Sequence, residues 1–213
     1  MTESQQSQLL DMTALILCGG RSRRMGRPKA FLPYEGSTVI SHILDTVSSL
    51  FAEVLLISNE PESYEDLGVD VVKDILPYRG PMGGILSGLL VAGHEHVFVI
   101  ACDMPLVDRA LILELVKRRH EHDVVVVSHC LGVEPLLGVY SKNCIKPLEE
   151  SLFSGSLSVK DLLFDLTTDT VRLDGEKGEE LPPFFNINTP QDYSRLITGQ
   201  VTPVHKFAQR SKR

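Results

Sequence analysis

Five cationic side chains, Arg21, Arg23, Arg24, Arg27 and Lys29, crowd into nine positions of a chain whose formal net charge is −7. They sit inside "LILCGGRSRRMGRPKAFL", residues 15–32, directly behind an apolar run and two glycines. Gly19 and Gly20 let the backbone turn sharply and bring amide N–H groups close to an anion, because no Cβ intervenes. The cations that follow can neutralise a polyphosphate. The competing reading is a surface turn with a solvated basic face. A second constellation, "ACDMPLV" at 101–107, places Asp103 just past another apolar run. A carboxylate there can hold Mg²⁺, a hard cation that takes oxygen ligands and keeps water and substrate phosphates; the alternative is that it caps a turn. In "VVKDILPYRGPMGGILSGLL", 71–90, Asp74 closes a short apolar run, and Gly80, Pro81, Gly83 and Gly84 lead into a helical pattern. Glycine amides at a helix N-terminus suit phosphate or nucleobase contacts, although a plain connector has the same composition. In "FFNINTPQDY", 184–193, Asn186 and Asn188 alternate, and on a strand they share one face. They either bind a substrate or a metal-bound water, or secure the turn before the next helix.

Several other chemistries are excluded. A Walker loop requires G-x-x-x-x-G-K-[ST], but Gly26 is followed by Arg27, Pro28 and Lys29; the dinucleotide pattern G-x-G-x-x-G is also absent. Cys18, Cys102, Cys130 and Cys144 form no C-x-x-C pair, so neither a zinc site nor a disulfide framework is expected, and a reducing cytoplasm is the expected compartment. Cys18 and Cys102 read as small buried hydrophobes. Net acidity argues against a general nucleic-acid binder. No apolar run approaches the roughly 18 residues of a membrane span, and the polar start "MTESQQSQLLDM" lacks a signal-peptide pattern. Of the histidines, only His129 falls near an expected ligand face, and for all of them a surface or packing role is expected rather than metal binding.

These residues need a frame. "TALIL" (13–17), "EVLLIS" (53–58), "VDVVK" (69–73), "HVFVIA" (96–101) and "DVVVVS" (123–128) are β-branched-rich and apolar on both faces, as parallel strands covered by helices must be. Helical spacing occupies 38–50, 83–93 and 108–121, with Ser37 or Thr38 capping the first and Asp108 the third. Further on come a strand at 134–140, helices at 141–152 and 156–164, a strand at 167–173, and a helix capped by Thr189 with Pro190 at its first position. The alternation predicts a single-domain, doubly wound α/β fold with a mostly parallel sheet, in which ligands bind beyond the carboxyl ends of the strands. The expected division is a flexible leader at 1–12, one domain at 13–198 and a basic tail at 199–213, disordered by default. "DGEKGEE", 174–180, reads as a charged surface loop.

Taken together, the motifs resemble one family. The 15–32 stretch is similar to the L-A-G-G-x-S-x-R-M-G-x-x-K-x-L-L signature of nucleotidyltransferases related to molybdenum cofactor guanylyltransferase, the MobA-like proteins. "GPMGGILSGL", "CDMPLV", "EPLLGVY" and "FNINTPQDY" follow in the family's order, and the resemblance spans residues 12–196. It implies a Rossmann-like nucleotidyltransferase fold and transfer of GMP from Mg·GTP to molybdopterin, with release of pyrophosphate. It further implies that Leu17, Cys18 and Gly19 contact GTP through backbone, that Lys29 binds the phosphates, and that Asp74 helps bind the nucleotide; in an in-line displacement, Lys29 and Arg24 with the glycine amides would hold the departing pyrophosphate. Asp103 would hold the Mg²⁺, and Asn186 and Asn188 would meet the pterin side. Cys18 replaces the usual Ala, Ser58 or Asn59 stands for a family Asn after the second strand, and Lys160 is the one basic residue in "GSLSVKDLL". Transient contact with other molybdenum cofactor proteins is also implied. The rivals are a cytidylyltransferase or sugar-phosphate nucleotidyltransferase of the same superfamily, and a GTP-binding protein that delivers cofactor without catalysis.

Overall fold

The computed structural model describes residues 9–19, 28–173 and 181–199. Arg24, with Gly20, Arg21, Arg23, Gly26 and Arg27, lies outside the described residues, as do the 174–180 loop, the tail beyond Gly199 and the first eight residues of the leader. Nine strands are described: β1 (Leu10–Cys18), β2 (Pro33–Tyr34), β3 (Ser37–Thr38), β4 (Phe51–Ser58), β5 (Asp70–Lys73), β6 (His96–Ala101), β7 (Val124–His129), β8 (Gly132–Ser141) and β9 (Thr168–Arg172). The helices are α1 (Val39–Ser48), α2 (Gly80–Val91), α3 (Arg109–Lys117), α4 (Ile145–Ser154), α5 (Val159–Leu162) and α6 (Pro190–Thr198). Strand β1 begins three residues before the apolar run that announced it, and Met12, placed at the end of the leader by sequence, is buried.

Seven strands form one sheet in the order β5-β4-β1-β6-β8-β7-β9, and β2 pairs with β3 in a small separate ribbon. The ladders β1–β4, β1–β6, β4–β5 and β7–β9 are parallel, so the sheet is mostly parallel as expected. Strand β8 runs antiparallel to both β6 and β7. The cause is local: only Cys130 and Leu131 join His129 to Gly132, and a two-residue connection permits a hairpin but no crossover.

Helices cover both faces. On one, Ile16 and Phe98 of the sheet pack with Ile43 of α1, Leu115 of α3 and Leu196 of α6. On the other, Leu15 and Val99 pack with Ile85 of α2, Leu148 of α4 and Leu162 of α5. Thr38 and Asp108 accept hydrogen bonds from the Ser41 and Leu111 amides, at 3.3 and 2.8 Å, and so cap α1 and α3. Thr189 and Asp192 form a reciprocal capping box with Pro190 at the first helical position of α6. Helix α2 starts at Gly80, three residues before its apolar spacing suggested. It has no polar face to speak of, and Met82 through Leu89 are all buried. Residues 185–188 form no strand. That correction has a simple source: among the described residues the stretch makes one backbone hydrogen bond to the sheet region, Ile187 N–H to the Asp103 carbonyl at 3.0 Å, and so builds no ladder.

Candidate active site

Leaving β1, the chain forms β4 and β5 on one side of it and β6 on the other. That reversal of strand order opens a crevice beyond the carboxyl ends of β1 and β6, the usual ligand position of an open α/β sheet. Cys18 and Gly19 stand at the end of β1, and Asp103 lies two residues beyond β6. Among the described residues, apart from its chain neighbours, none comes within 4 Å of the place a Cβ on Gly19 would take.

Lys29 opens a short 3-10 turn, Lys29–Phe31, closed by the Leu32 amide donating to the Lys29 carbonyl at 3.1 Å. From this turn its ammonium reaches Asp103 Oδ2 at 3.0 Å and donates to Asn188 Oδ1 at 2.8 Å. The side chains of Lys29 and Asp103 are 19% and 17% exposed, open enough for a ligand yet sheltered enough that the charges matter. The turn is braced from beneath: Phe31 stacks on Tyr64 at 5.3 Å, and Tyr64 belongs to the 3-10 segment Pro61–Leu67. Asn188 is fixed by its own backbone amide, which donates to Asp192 Oδ2 at 3.0 Å. Three residues separated by up to 159 positions thus converge on one point.

Asn186 makes a different contact from Asn188. Its amide donates, at 3.5 Å, to Glu134 Oε2, while Glu134 Oε1 lies 3.3 Å from His129 Nε2. The His129 ring stacks on Phe184 with centroids 4.3 Å apart and planes 11° from parallel. Glu134 escaped sequence reasoning except as part of a strand. The available signal was a lone carboxylate at the mouth of an otherwise apolar run. Lys160 lies beside this group, its Nζ 3.9 Å from where a Cβ on Gly132 would stand.

Asp74 sits two strands from β1 and is buried, 5% exposed. Its Oδ1 accepts from the Leu76 amide at 3.0 Å and from the Ser87 hydroxyl at 2.9 Å, and Ser87 Oγ in turn accepts from the Ile75 amide at 3.0 Å. The carboxylate therefore pins the Asp74–Arg79 connection to α2, a job the sequence did not reveal. At the end of β4, Ser58 Oγ accepts from the Glu60 amide at 3.0 Å, whereas buried Asn59 Oδ1 has no partner among the described residues. Of the two residues weighed there, Asn59 is the one with an acceptor to spare.

Among the described residues no group of three or more His, Cys, Asp or Glu converges as a metal cage. A divalent cation at this site would meet hard oxygens, the Asp103 carboxylate and the Asn188 amide oxygen, which already surround the Lys29 ammonium. That donor set fits Mg²⁺, which completes its shell with water and phosphate oxygens.

A family model described as a MobA-like NTP transferase domain matches residues 14–170. The chain belongs to this family. The matched span of the MobA-like domain holds Lys29, Asp74, Asp103, His129 and Glu134; Asn186 and Asn188 follow it. The molybdenum cofactor guanylyltransferase of Desulfosudis oleivorans is 35% identical over 191 residues, covering 86% of this chain and 93% of that protein. A probable molybdenum cofactor guanylyltransferase of Clostridium perfringens is 32% identical over 194 residues, covering 89% and 98%. Among solved structures, molybdopterin-guanine dinucleotide biosynthesis protein A from Archaeoglobus fulgidus superposes with a TM-score of 0.73 at 26% identity, covering 88% of this chain and 97% of that one. The domain is a nucleotidyltransferase. No described helix is long and apolar enough to cross a membrane.

Proposed function

We propose that this chain transfers GMP from Mg·GTP to molybdopterin, forming the guanine dinucleotide cofactor and pyrophosphate. The observation that carries the reading is the Lys29–Asp103–Asn188 group at the mouth of the β1–β6 crevice. In the reaction, an oxygen of the molybdopterin phosphate forms a bond to the α-phosphorus of GTP, and the bond to the bridging oxygen breaks as pyrophosphate leaves. A phosphomonoester is already anionic near neutral pH, so no strong general base is needed. The barrier comes from bringing anions together and from charge gathering on the leaving group, and positioned cations lower it. Lys29 supplies that charge on the phosphate side, with Arg24 as a second cation. The two oxygens that hold Lys29 in the free protein keep its ammonium at the mouth of the crevice, from which it turns to phosphate when a cation takes Asp103. Leu17, Cys18 and Gly19 offer backbone to the nucleotide, and Asp74 acts indirectly by setting the loop ahead of α2. Magnesium, when bound at Asp103, neutralises phosphate charge. On the other side, Asn186, Glu134 and the His129–Phe184 stack offer amide, carboxylate and ring surfaces suited to the flat, hydrogen-bonding pterin.

The deciding experiment is pyrophosphate release from the full chain with molybdopterin and either GTP or CTP, in Mg²⁺. Release with GTP is expected. Release with CTP in its place would make the chain a cytidylyltransferase, and tight GTP binding with no release would make it a delivery protein.

A further inference from the structure

The parallel register of β1 and β6 runs Ala14 with Phe98, Leu15 with Val99, Ile16 with Ile100 and Leu17 with Ala101. One step further brings Cys18 beside Cys102, and the Cys102 amide still donates to the Leu17 carbonyl at 3.2 Å. Alternation along the strands puts both thiols on the same face as Ile16 and Ile100, and both pack in the same cluster. Neighbouring strands lie about 4.8 Å apart, within the roughly 4.4–6.8 Å Cα separation that a disulfide spans. Tyr64 is buried in this same cluster with Cys18, and Cys102 packs against it. The remaining cysteines are elsewhere: Cys144 is buried on the opposite face of the sheet, and Cys130 is exposed in the β7–β8 turn.

We propose that Cys18 and Cys102 form a dithiol modification site, which hydrogen peroxide closes to a disulfide at the entrance of the nucleotide crevice. Burial pushes the Cys18 thiol well above its usual range, and the neighbouring Cys102 adds to the effect. Cys102 is the more exposed of the two, so its sulfur meets the oxidant first. It attacks a peroxide oxygen, the O–O bond breaks, and Cys102 sulfenic acid and water result. The Cys18 sulfur then attacks the sulfenic sulfur; the S–S bond forms, the S–O bond breaks and a second water leaves. Two thiols and one peroxide thus give one disulfide and two waters.

The consequence follows from what adjoins each sulfur. Cys18 immediately precedes Gly19, and Cys102 immediately precedes Asp103. Closure ties these two segments together within the cluster that holds Tyr64, the ring on which Phe31 and hence the Lys29 turn rest. The dithiol thereby couples oxidant to the geometry of the Lys29–Asp103 pair. This second part rests on the reading of that pair given above, whereas formation of the bond does not.

The test treats the full chain carrying Cys130→Ser with hydrogen peroxide, then alkylates, digests and maps cysteines by mass spectrometry. A peptide linking Cys18 to Cys102 is expected, lost on adding dithiothreitol and absent from a chain that also carries Cys102→Ser. Pyrophosphate release should fall roughly tenfold or more on closure and recover on reduction, since misplacing a phosphate-binding group by about an ångström costs that much. If both thiols remain alkylatable, or Cys102 advances to sulfinic acid unlinked to Cys18, the site is refuted. A linked chain with undiminished turnover refutes the coupling. The mapping uses no nucleotide, so the dithiol stands or falls by its own linked peptide even where a guanylyltransferase assay fails.

Discussion

Lys29 arrives at its position already matched to two oxygens, Asp103 Oδ2 at 3.0 Å and Asn188 Oδ1 at 2.8 Å. In the proposed reaction, a flexible ammonium already held from two sides lowers the ordering cost of fixing a four-carbon stem near phosphate. Removing such a contact from a charge-stabilised transition state commonly costs about 3–4 kcal/mol. Lys29→Ala and Asp103→Ala should therefore each lower kcat at least about a hundredfold. Their melting temperatures should stay close to that of the parent chain, because the pair is partly solvated and contributes little to folding. Steady-state kinetics beside thermal melts reads both quantities, and near-normal turnover in Asp103→Ala would remove it from the metal role. Asp74 has a different character. Its buried carboxylate is engaged with Leu76 and Ser87, so the nucleotide role proposed for it would run through the loop it anchors.

At the scale of elements, α2 shows how a helix without a polar side is made to fit. Its glycines let it lie directly on the sheet: a Cβ at Gly88 would stand 2.5 Å from Leu15 Cδ1 and 2.9 Å from Leu15 Cγ, and Leu15 is fully buried. Leu15 has nowhere to swing, so Gly88→Ala should force the helix outward. A loss of about 1–3 kcal/mol is expected in urea melts despite alanine's better helix propensity. Little or no loss would mean that β1 and α2 slide apart without cost. The same intimacy places Gly83 against the Leu76 carbonyl, where a Cβ would come within 2.8 Å. The loop ahead of α2 and the helix itself thus form one rigid piece.

Across the whole molecule, the sheet edge beyond β8 is fastened by polar contacts rather than by apolar packing alone. Asp123, just before β7, accepts hydrogen bonds from the Thr167 amide at 3.1 Å, from the Thr167 hydroxyl at 2.5 Å and from Asn143 at 2.9 Å. It therefore joins β7, the approach to β9 and the turn before α4. The Thr167 hydroxyl lowers the Asp123 pKa most; partial burial opposes it, and Asn143 and the Thr167 amide add to the lowering. A carboxylate depressed in the folded state contributes stability that is complete above its unfolded pKa of about 3.9. The contribution is lost as pH falls through the lower, folded-state value. Asp123→Ala should cost about 2 kcal/mol near neutrality. The gap between the two proteins should narrow as pH drops below about 4, as urea melts across that range would show. A gap that widened on acidification would contradict the assignment.

The doubly wound sheet was legible in the sequence because both of its causes are local. Apolar, β-branched runs spell buried parallel strands, and capping residues such as Thr38, Asp108 and Thr189 announce the helices between them. The placing of Lys29 and Asp103 beyond β1 and β6 was legible too, since each follows an apolar run in the loop after a strand. Other features depended on pairing between distant segments, which no local pattern encodes. The link from Lys29 to Asn188, the carboxylate of Glu134 facing Asn186, the hydroxyl of Ser87 holding Asp74 and the meeting of Cys18 with Cys102 all belong to that class. A residue's type and its place on an element follow from its near neighbours along the chain, but its chemical partner is fixed only when strand order and register bring two remote stretches face to face.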